Sequence, residues 1–499
     1  MKKTVNIVWW GIWWLASAIL LAKDGYDVSV YEKNECLGWR ASIFKQKWYT
    51  FDMWPSRYLM PDLFEEFFES IWEDINQYLD LQKLSPSYKV FYPDETLKDQ
   101  SWNFKSMDVY ADIDRMAKEF EKMEIGSWAK FKTFLKKSWV QYKIWMEFAK
   151  KNYDSILDFF RWDIAWKWLQ LNIWTTIDKY VARFFKTRIL QKIMQYTTVF
   201  LWTAPNQTPA LYNIMSHVDF AMGVWYPNWG LHMIAKALEK IWLKYWVKYY
   251  LNSELKSVNI DSKQISSIVL ADWSVVVWDL FLINADQAWF ETAMLPENLQ
   301  TYNQAYRDKK TFAPSGFIIY AGIDKKLKNL QHHNLYFNDD WTKSFGDIFD
   351  RKLLPDDPSI YVSMISKTDP QSAPQWKENL FILVPIPNWI NISQQKKSEY
   401  RNKIWAIVEK MAGENLVDHI EYEQIFDVAD FQKRYNAWNG TALGLAHTMM
   451  QTASFRPNNY SKKLKNLFYV WHNTNPGIWV PMVILSAMLV KERINQKIR

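Results

Sequence analysis

The first 35 residues combine a long apolar run with a segment in which apolar and polar residues alternate. Residues 5–22, VNIVWWGIWWLASAILLA, are uncharged and mostly apolar, and they follow a Met-Lys-Lys start. Taken alone, this run is typical of a signal peptide or a membrane anchor. Asp24 and Gly25 then provide a helix end, and the alternating segment that follows ends on the acidic Glu32. The whole pattern instead predicts a strand, a loop, a helix and a second strand.

The predicted loop has the spacing of a dinucleotide-binding fingerprint but carries tryptophan at two of its three glycine positions. Trp9, Gly11 and Trp14 occupy the G-x-G-x-x-G positions, and Glu32 follows Gly11 by 21 residues. In this motif the glycines allow a tight turn, a close approach to the pyrophosphate and close helix packing, while the acid binds ribose hydroxyls. These four residues are therefore candidate cofactor-binding residues.

The composition gives this loop a second interpretation. The chain has 31 Trp and only 13 Gly, whereas a chain of this length ordinarily has roughly 35 glycines. We hypothesise that many tryptophan positions are UGA codons, which some bacterial lineages read as glycine. UGG codons at positions 9, 13 and 14 would contradict this hypothesis. If the tryptophans are real, their indoles fill the pyrophosphate site, and the chain is an apoprotein or a non-enzymatic, membrane-anchored protein.

Two further segments become glycine-rich under the same substitution. Residues 35–56 would read GGRA and GYTFDMGPS, which is typical of a surface hairpin and also resembles the glycine-rich signature of flavin-dependent amine oxidases and carotenoid desaturases. Residues 466–490 predict a strand, a Pro/Gly loop and an apolar helix beginning near Val480. That helix is shorter than the roughly 20 residues that span a membrane.

Five segments between these ends carry a more specific pattern, at residues 203–238, 283–296, 313–337, 357–388 and 439–459. In order and spacing they resemble bacterial-type phytoene (carotenoid) desaturases, FAD-dependent enzymes of the flavin amine oxidase-like superfamily. The resemblance implies that FAD is bound by two further groups of residues. They are Gly38, Trp39, Arg40, Asp52 and Trp54 in the second segment, and Trp471, Pro476, Gly477 and Trp479 near the C-terminus.

The implied fold is α/β, with a Rossmann-like FAD-binding domain interwoven with an α+β substrate domain. The FAD-binding domain would comprise residues 1–80, 228–300 and 435–499. The substrate domain would comprise residues 81–227 and 301–434. Residues 109–200 alternate apolar and charged positions at helical spacing, which predicts either a bundle packed on its neighbours or helices that lie on a membrane surface.

A carotene offers no group for acid–base chemistry, so the cofactor must carry the reaction. The resemblance implies hydride transfer from an allylic carbon to FAD in carotenoid biosynthesis. His447 and Arg456 are candidate active-site residues, although either could be structural. Related enzymes that act as a saturase, isomerase or oxygenase remain alternatives.

The remaining features concern partners and location. The adjacent His332 and His333 would point apart in a strand, so no metal site is expected. One cysteine, Cys36, and a net charge of +7 favour a cytoplasmic protein at an anionic membrane surface, with a lipophilic carotene as substrate. No nucleic-acid-binding module is recognisable, and nothing indicates the oligomeric state.

Overall fold

The fold is described from a computed structural model. It describes residues 3–8, 11–35, 41–93, 104–153, 167, 170–200, 203–452, 455–470, 473–478 and 480–498. The strands are β1 (Thr4–Val8), β2 (Asp27–Tyr31), β3 (Ile43–Gln46), β4 (Tyr49–Asp52), β5 (Leu81–Lys83), β6 (Tyr88–Tyr92), β7 (Lys105–Val109), β8 (Trp225–Pro227), β9 (Lys248–Tyr250), β10 (Leu255–Asp261), β11 (Gln264–Leu270), β12 (Val275–Val276), β13 (Leu280–Ile283), β14 (Ser315–Ile323), β15 (His333–Tyr336), β16 (Ile360–Ser363), β17 (Glu378–Ile386), β18 (Ile420–Phe426) and β19 (Leu467–Tyr469).

The α-helices lie between groups of these strands along the chain. They are α1 (Ile12–Lys23), α2 (Pro61–Ser70), α3 (Ile113–Met123), α4 (Ser127–Ala149), α5 (Ile177–Ala182), α6 (Arg188–Phe200), α7 (Ile214–His217), α8 (Met233–Lys244), α9 (Gln287–Met294), α10 (Gln304–Asp308), α11 (Trp341–Gly346), α12 (Gln394–Ala412), α13 (Val428–Tyr435) and α14 (Val480–Ile498).

In the described part of the chain, five strands form a parallel sheet in the order β19-β13-β1-β2-β9. β1 lies in the centre, where Val5 pairs with Val28 of β2 on one side and with Leu280 of β13 on the other. Its residues from Val5 onward are buried because helices pack on the sheet, as expected of parallel strands. All five strands fall in the ranges 1–80, 228–300 and 435–499.

The interpretation of residues 5–22 as one continuous membrane anchor is wrong. β1 ends at Val8 inside the sheet, and α1 begins separately at Ile12. The apolar character of this segment comes from burial of both elements within the protein core. None of the helices in the described residues is both long enough and apolar enough to cross a membrane.

A second sheet has seven strands among the described residues, in the order β18-β14-β17-β16-β15-β6-β7. Its neighbouring strands are antiparallel except for β15 and β6, which are parallel. The long central strands β14 and β17 are almost completely buried, with α12 in the apolar cluster on one face. All seven strands fall in the ranges 81–227 and 301–434.

The described helices between residues 113 and 200 pack through aromatic side chains. Phe120 of α3 contacts Phe131 of α4, with ring centroids 4.6 Å apart. Phe134 and Phe185 continue the same cluster, which joins the core that lies against the second sheet. The predicted amphipathic helices therefore bury their apolar side against the protein and expose their charged side.

Candidate functional site

The carboxyl ends of β1 and β2 form the part of the parallel sheet at which a dinucleotide would bind. Gly11 has an extended backbone (φ −174°, ψ 172°) and immediately precedes α1. Because a helix N-terminus presents unpaired N–H groups and a positive dipole, this arrangement suits a pyrophosphate. The described backbone at Gly11 therefore fits the cofactor that the fingerprint predicts.

Glu32 lies directly after β2 and is 1% exposed. Its carboxylate accepts hydrogen bonds from the backbone N–H of Asn34 at 2.5 Å and from the Asn34 side chain. Burial raises the pKa of Glu32 to about 8, although Asn34 opposes the shift. A buried carboxyl group at this strand end is placed to bind ribose hydroxyls.

Trp14 has its indole between two helices. It is fully buried, and its ring centroid lies 5.0 Å from that of Trp242 on α8. The third position of the fingerprint, where the motif ordinarily has glycine for close helix–strand packing, thus places an indole in the core against α8. Six other predicted cofactor residues lie outside the described residues, namely Trp9, Gly38, Trp39, Arg40, Trp471 and Trp479.

Asp52 and Trp54 connect the β3–β4 hairpin to neighbouring elements. The buried carboxylate of Asp52 accepts from the backbone N–H of Leu231, with its two oxygens at 3.2 and 3.3 Å. Desolvation raises the pKa of Asp52 to about 7. The Trp54 indole is partly buried and meets Phe431 edge to face. The Asp52 side chain therefore fixes the chain just before α8, and the flavin-lining role of both residues stays a prediction.

The structure brings His447, Arg456 and Gly477 together. His447 is buried, its Nδ1 contacts the Tyr212 hydroxyl, and its Nε2 lies 3.4 Å from Nη1 of Arg456. A Cβ placed on Gly477 would lie 2.7 Å from Cε1 of the imidazole. Pro476, also buried, precedes Gly477 in the same loop. His447 thus faces the C-terminal loop that the sequence assigns to the cofactor site, and Arg456 contacts the other side of the imidazole.

The electrostatics of this group keep the imidazole neutral. Desolvation and the nearby Arg456 hold the pKa of His447 well below its ordinary value. Desolvation likewise lowers the pKa of Arg456 to about 10, so the guanidinium remains charged near neutral pH. Because a guanidinium can only donate, Nε2 of His447 is its accepting nitrogen and faces Arg456, while Nδ1 faces the Tyr212 hydroxyl.

A buried ion pair that the sequence did not reveal lies in the second sheet's core. Arg57 Nη2 donates to Asp219 Oδ1 at 3.0 Å and to the Tyr196 hydroxyl at 2.9 Å. The Tyr88 hydroxyl donates to the other Asp219 oxygen at 2.5 Å. Arg57 and Asp219 are 162 residues apart, and neither has a charged neighbour in sequence that would indicate pairing. No sequence pattern could have located this cluster.

The adjacent histidines depart from the prediction. The rings of His332 and His333 lie 4.3 Å apart and do not point in opposite directions. The alternation rule fails because β15 begins only at His333. Desolvation lowers the pKa of His332 to about 3 and that of His333 well below its ordinary value. Among the described residues no group of three His, Cys, Asp or Glu could hold a metal ion.

A parallel sheet with a buried acid after its second strand, beside a mixed sheet, is the arrangement of dinucleotide-binding proteins. Residues 15–495 match the family described as flavin containing amine oxidoreductase, and the chain belongs to that family. The predicted fold class and the flavin cofactor class are therefore confirmed.

Relatives and one solved structure refine this placement. The chain is 40% identical over 505 residues to a carotenoid 3,4-desaturase of Haloarcula japonica, covering 99% of the chain and 98% of that protein. It is 30% identical over 496 residues to a zeta-carotene-forming phytoene desaturase of Myxococcus xanthus, covering 99% and 94%. An oxidoreductase structure from Methanosarcina mazei matches with a TM-score of 0.64 at 15% identity, covering 98% of this chain and all of that one, which shows the fold alone. The predicted resemblance to carotenoid desaturases is confirmed.

Proposed function

We propose that the protein, with glycine in place of the tryptophans of its cofactor loops, binds FAD and introduces a conjugated double bond into a carotene precursor such as phytoene or diapophytoene. The observation that carries this proposal is the match over 99% of the chain to a relative named as a carotenoid desaturase. The buried polar residues at the two ends of the candidate site support it, because each has a distinct task in such a reaction.

Residues of the parallel sheet would hold the cofactor. Glu32 would bind the ribose hydroxyls, and the N-terminal end of α1 beside Gly11 would bind the pyrophosphate. The chemistry that FAD supplies when bound is acceptance of a hydride equivalent from an allylic carbon. An acceptor such as oxygen or a membrane quinone must then reoxidise the flavin.

His447 would take the proton that leaves the neighbouring carbon. Loss of a hydride from one carbon and of a proton from the next leaves a C=C bond, so a base must stand near the reacting atoms. The neutral imidazole of His447, which lies against Gly477 of the C-terminal loop, would accept this proton at Nε2 when the substrate displaces the Arg456 N–H that lies 3.4 Å from that nitrogen. Arg456 would then oppose the positive charge on His447, which favours release of the proton to water before the next turnover.

A face of α4 would contact the membrane in which the substrate dissolves. One side of this helix carries three lysines, Lys132, Lys136 and Lys143. Trp128 and Trp139 lie on the same side, 43% and 41% exposed. Lys132 lies over the Trp128 ring and Lys143 over the Trp139 ring. Basic and aromatic residues on one helical face suit an anionic lipid surface. Replacing Lys136 and Lys143 by glutamate should abolish sedimentation with phosphatidylglycerol vesicles and leave the fold intact; Lys132 is kept because it pairs with Asp114 at 2.5 Å.

Expression with a phytoene-producing pathway tests the reaction. The chain is used as written and as a loop variant that carries Trp9→Gly, Trp10→Gly, Trp13→Gly, Trp14→Gly, Trp39→Gly, Trp54→Gly, Trp471→Gly and Trp479→Gly. We expect the loop variant to yield carotenes with additional conjugated double bonds and a red-shifted absorption spectrum. Isomerised, oxygenated or saturated products with no new double bond would favour the related activities and reject desaturation.

A further inference from the structure

Seven tryptophans have a backbone conformation that favours glycine. In the described residues sixteen non-glycine residues have positive φ, and seven of these are tryptophan, although tryptophan is only 31 of 499 residues. A bulky residue at positive φ is a marked outlier. The seven are Trp48 (71°), Trp72 (60°), Trp229 (79°), Trp246 (59°), Trp273 (69°), Trp376 (67°) and Trp389 (57°).

Two of them end helices in a hydrogen-bonded arrangement that ordinarily uses glycine. After α2, the N–H of Trp72 donates to Glu69 O at 2.9 Å and that of Glu73 to Phe68 O at 3.0 Å. After α8, the N–H of Trp246 donates to Leu243 O and that of Val247 to Trp242 O, both at 3.4 Å. This is a Schellman motif, with the left-handed residue at the position where glycine predominates.

The same chain shows the motif with glycine after α1. Gly25, at φ 94°, donates to Ala22 O at 3.0 Å, and Tyr26 donates to Leu21 O at 3.1 Å. The hydrogen bonds match those at Trp72 and Trp246 residue for residue. Three equivalent helix ends in one protein thus differ only in whether the left-handed residue is written as glycine or tryptophan.

Three others occupy glycine positions of tight turns. Trp48 is the second residue of the two-residue loop between β3 and β4, and Lys47 before it also has positive φ. That is a type I′ hairpin, which strongly prefers glycine second. Trp273 ends the three-residue loop between Leu270 and Ser274, again at the left-handed position. Trp376 is the third residue of a turn in which the Lys377 N–H donates to Pro374 O at 3.0 Å. In a type II turn this third position is ordinarily glycine.

The seven indoles lie largely in solvent. Their exposed fractions range from 51% at Trp229 to 89% at Trp48, so little burial offsets the backbone strain. Lysine contacts are present at two of them, with Lys23 over the Trp72 ring at 3.7 Å and Lys256 over the Trp273 ring at 3.1 Å. Other tryptophans in the chain have contacts that need an indole. Trp405 is fully buried and donates to Glu423 at 2.6 Å, and the Trp225 indole donates to Met222 O at 3.1 Å. The strained tryptophans therefore form a separate class.

We infer that these seven positions are glycine in the protein that the source cell makes, because their codons are read there as glycine. The extension of this inference to the tryptophans of the cofactor loops rests on the proposed FAD-binding function, whereas the seven turn positions do not depend on it. At the loops the consequence is functional, since a bound dinucleotide needs close approach of the backbone that an indole prevents. The chain as written would fold and would not retain FAD.

Peptide mass spectrometry of the protein isolated from its native cells gives the direct test. Peptides that contain residues 48, 72, 229, 246, 273, 376 and 389 should each have the mass of the glycine form. The peptide with residue 405 should have the tryptophan mass. Tryptophan at the seven positions in the native protein would overturn the inference.

A recombinant comparison tests the physical reason independently of translation. Trp72→Gly and Trp246→Gly should each raise the folding equilibrium constant by about fivefold to thirtyfold, since a left-handed conformation is strained for any residue but glycine. Trp139→Gly is the matched control, because Trp139 is exposed and lies inside α4. The control should lower the constant by about twofold to fivefold. An effect of Trp72→Gly and Trp246→Gly equal to that of the control would contradict the inference.

Flavin retention separates this inference from the proposed function. The loop variant should keep a flavin absorbance band through gel filtration after incubation with FAD, and the chain as written should not. If the turn substitutions stabilise the protein but the loop variant does not retain flavin, the inference of glycine at the seven turns stands and the FAD-binding proposal is rejected. Retention of FAD by the chain as written would overturn the extension to the loops.

Discussion

Gly477 lies so close to His447 that no side chain fits between them. A Cβ on Gly477 would stand 2.7 Å from Cε1 of the imidazole, and Gly477 has φ 145°. Any larger residue must therefore move His447 or the loop that carries Gly477, and the contact couples the candidate base to the C-terminal cofactor segment.

Gly477→Ala should lower desaturation at least tenfold in the loop variant and destabilise the fold by about 1–3 kcal/mol through strain. The effect is measured by carotene product formation and by thermal unfolding. Gly413→Ala is the matched control, because Gly413 also has positive φ (75°) and nothing lies within 4 Å of its Cβ position. The control should lose stability and keep its activity. Equal activity of the two variants would show that the Gly477–His447 contact does not contribute to desaturation.

His447→Gln should reduce the turnover number by roughly 10²-fold to 10⁴-fold while flavin absorbance is retained, as expected for loss of a general base. Tyr212→Phe should have a smaller effect of the same kind, since it removes the phenol that contacts Nδ1. Because the pKa of His447 lies well below its ordinary value of 6.5, its titration should produce no fall in rate between pH 6.5 and 8. A rate that falls on acidification through pH 6.5 and loses this dependence in His447→Gln would refute the neutral-imidazole assignment.

Much of the fold follows from local sequence patterns, and the candidate site follows only in part. Apolar spacing predicted β1, α1 and β2 because each element has a regular period and a clear end at Gly25 or Glu32. Asp52 shows where such reasoning stops, since its hydrogen bond to Leu231 joins residues 179 apart. The Arg57–Asp219 pair has the same origin in tertiary packing. The positive φ of Trp72, Trp376 and Trp389 could not be predicted from the sequence either, because the turn sets φ and the tryptophan does not.

Removal of one partner of the Arg57–Asp219 pair should be severe. Asp219→Asn removes the carboxylate that pairs with the buried Arg57 guanidinium, and breaking a buried pair in this way costs about 3–5 kcal/mol. The measurement is urea unfolding of the cofactor-free chain. Glu239→Gln, which breaks the surface pair with Lys236, should cost no more than about 1 kcal/mol. A similar loss in both variants would mean that the buried cluster contributes no more than an exposed ion pair.

Glu32 should make the stability of the cofactor-free protein fall as pH rises. Burial raises its pKa from 4.5 to about 8, so the folded chain keeps a proton that the unfolded chain has already lost. Stability then falls from about pH 4.5 to about pH 8 and levels off above that range, by an amount on the order of a few kcal/mol. Glu32→Gln, which cannot ionise, should lose this slope and be the more stable protein at pH 8. The difference between the two proteins should vanish near pH 4.5, and parallel curves across the whole range would show that Glu32 ionises normally in the folded state.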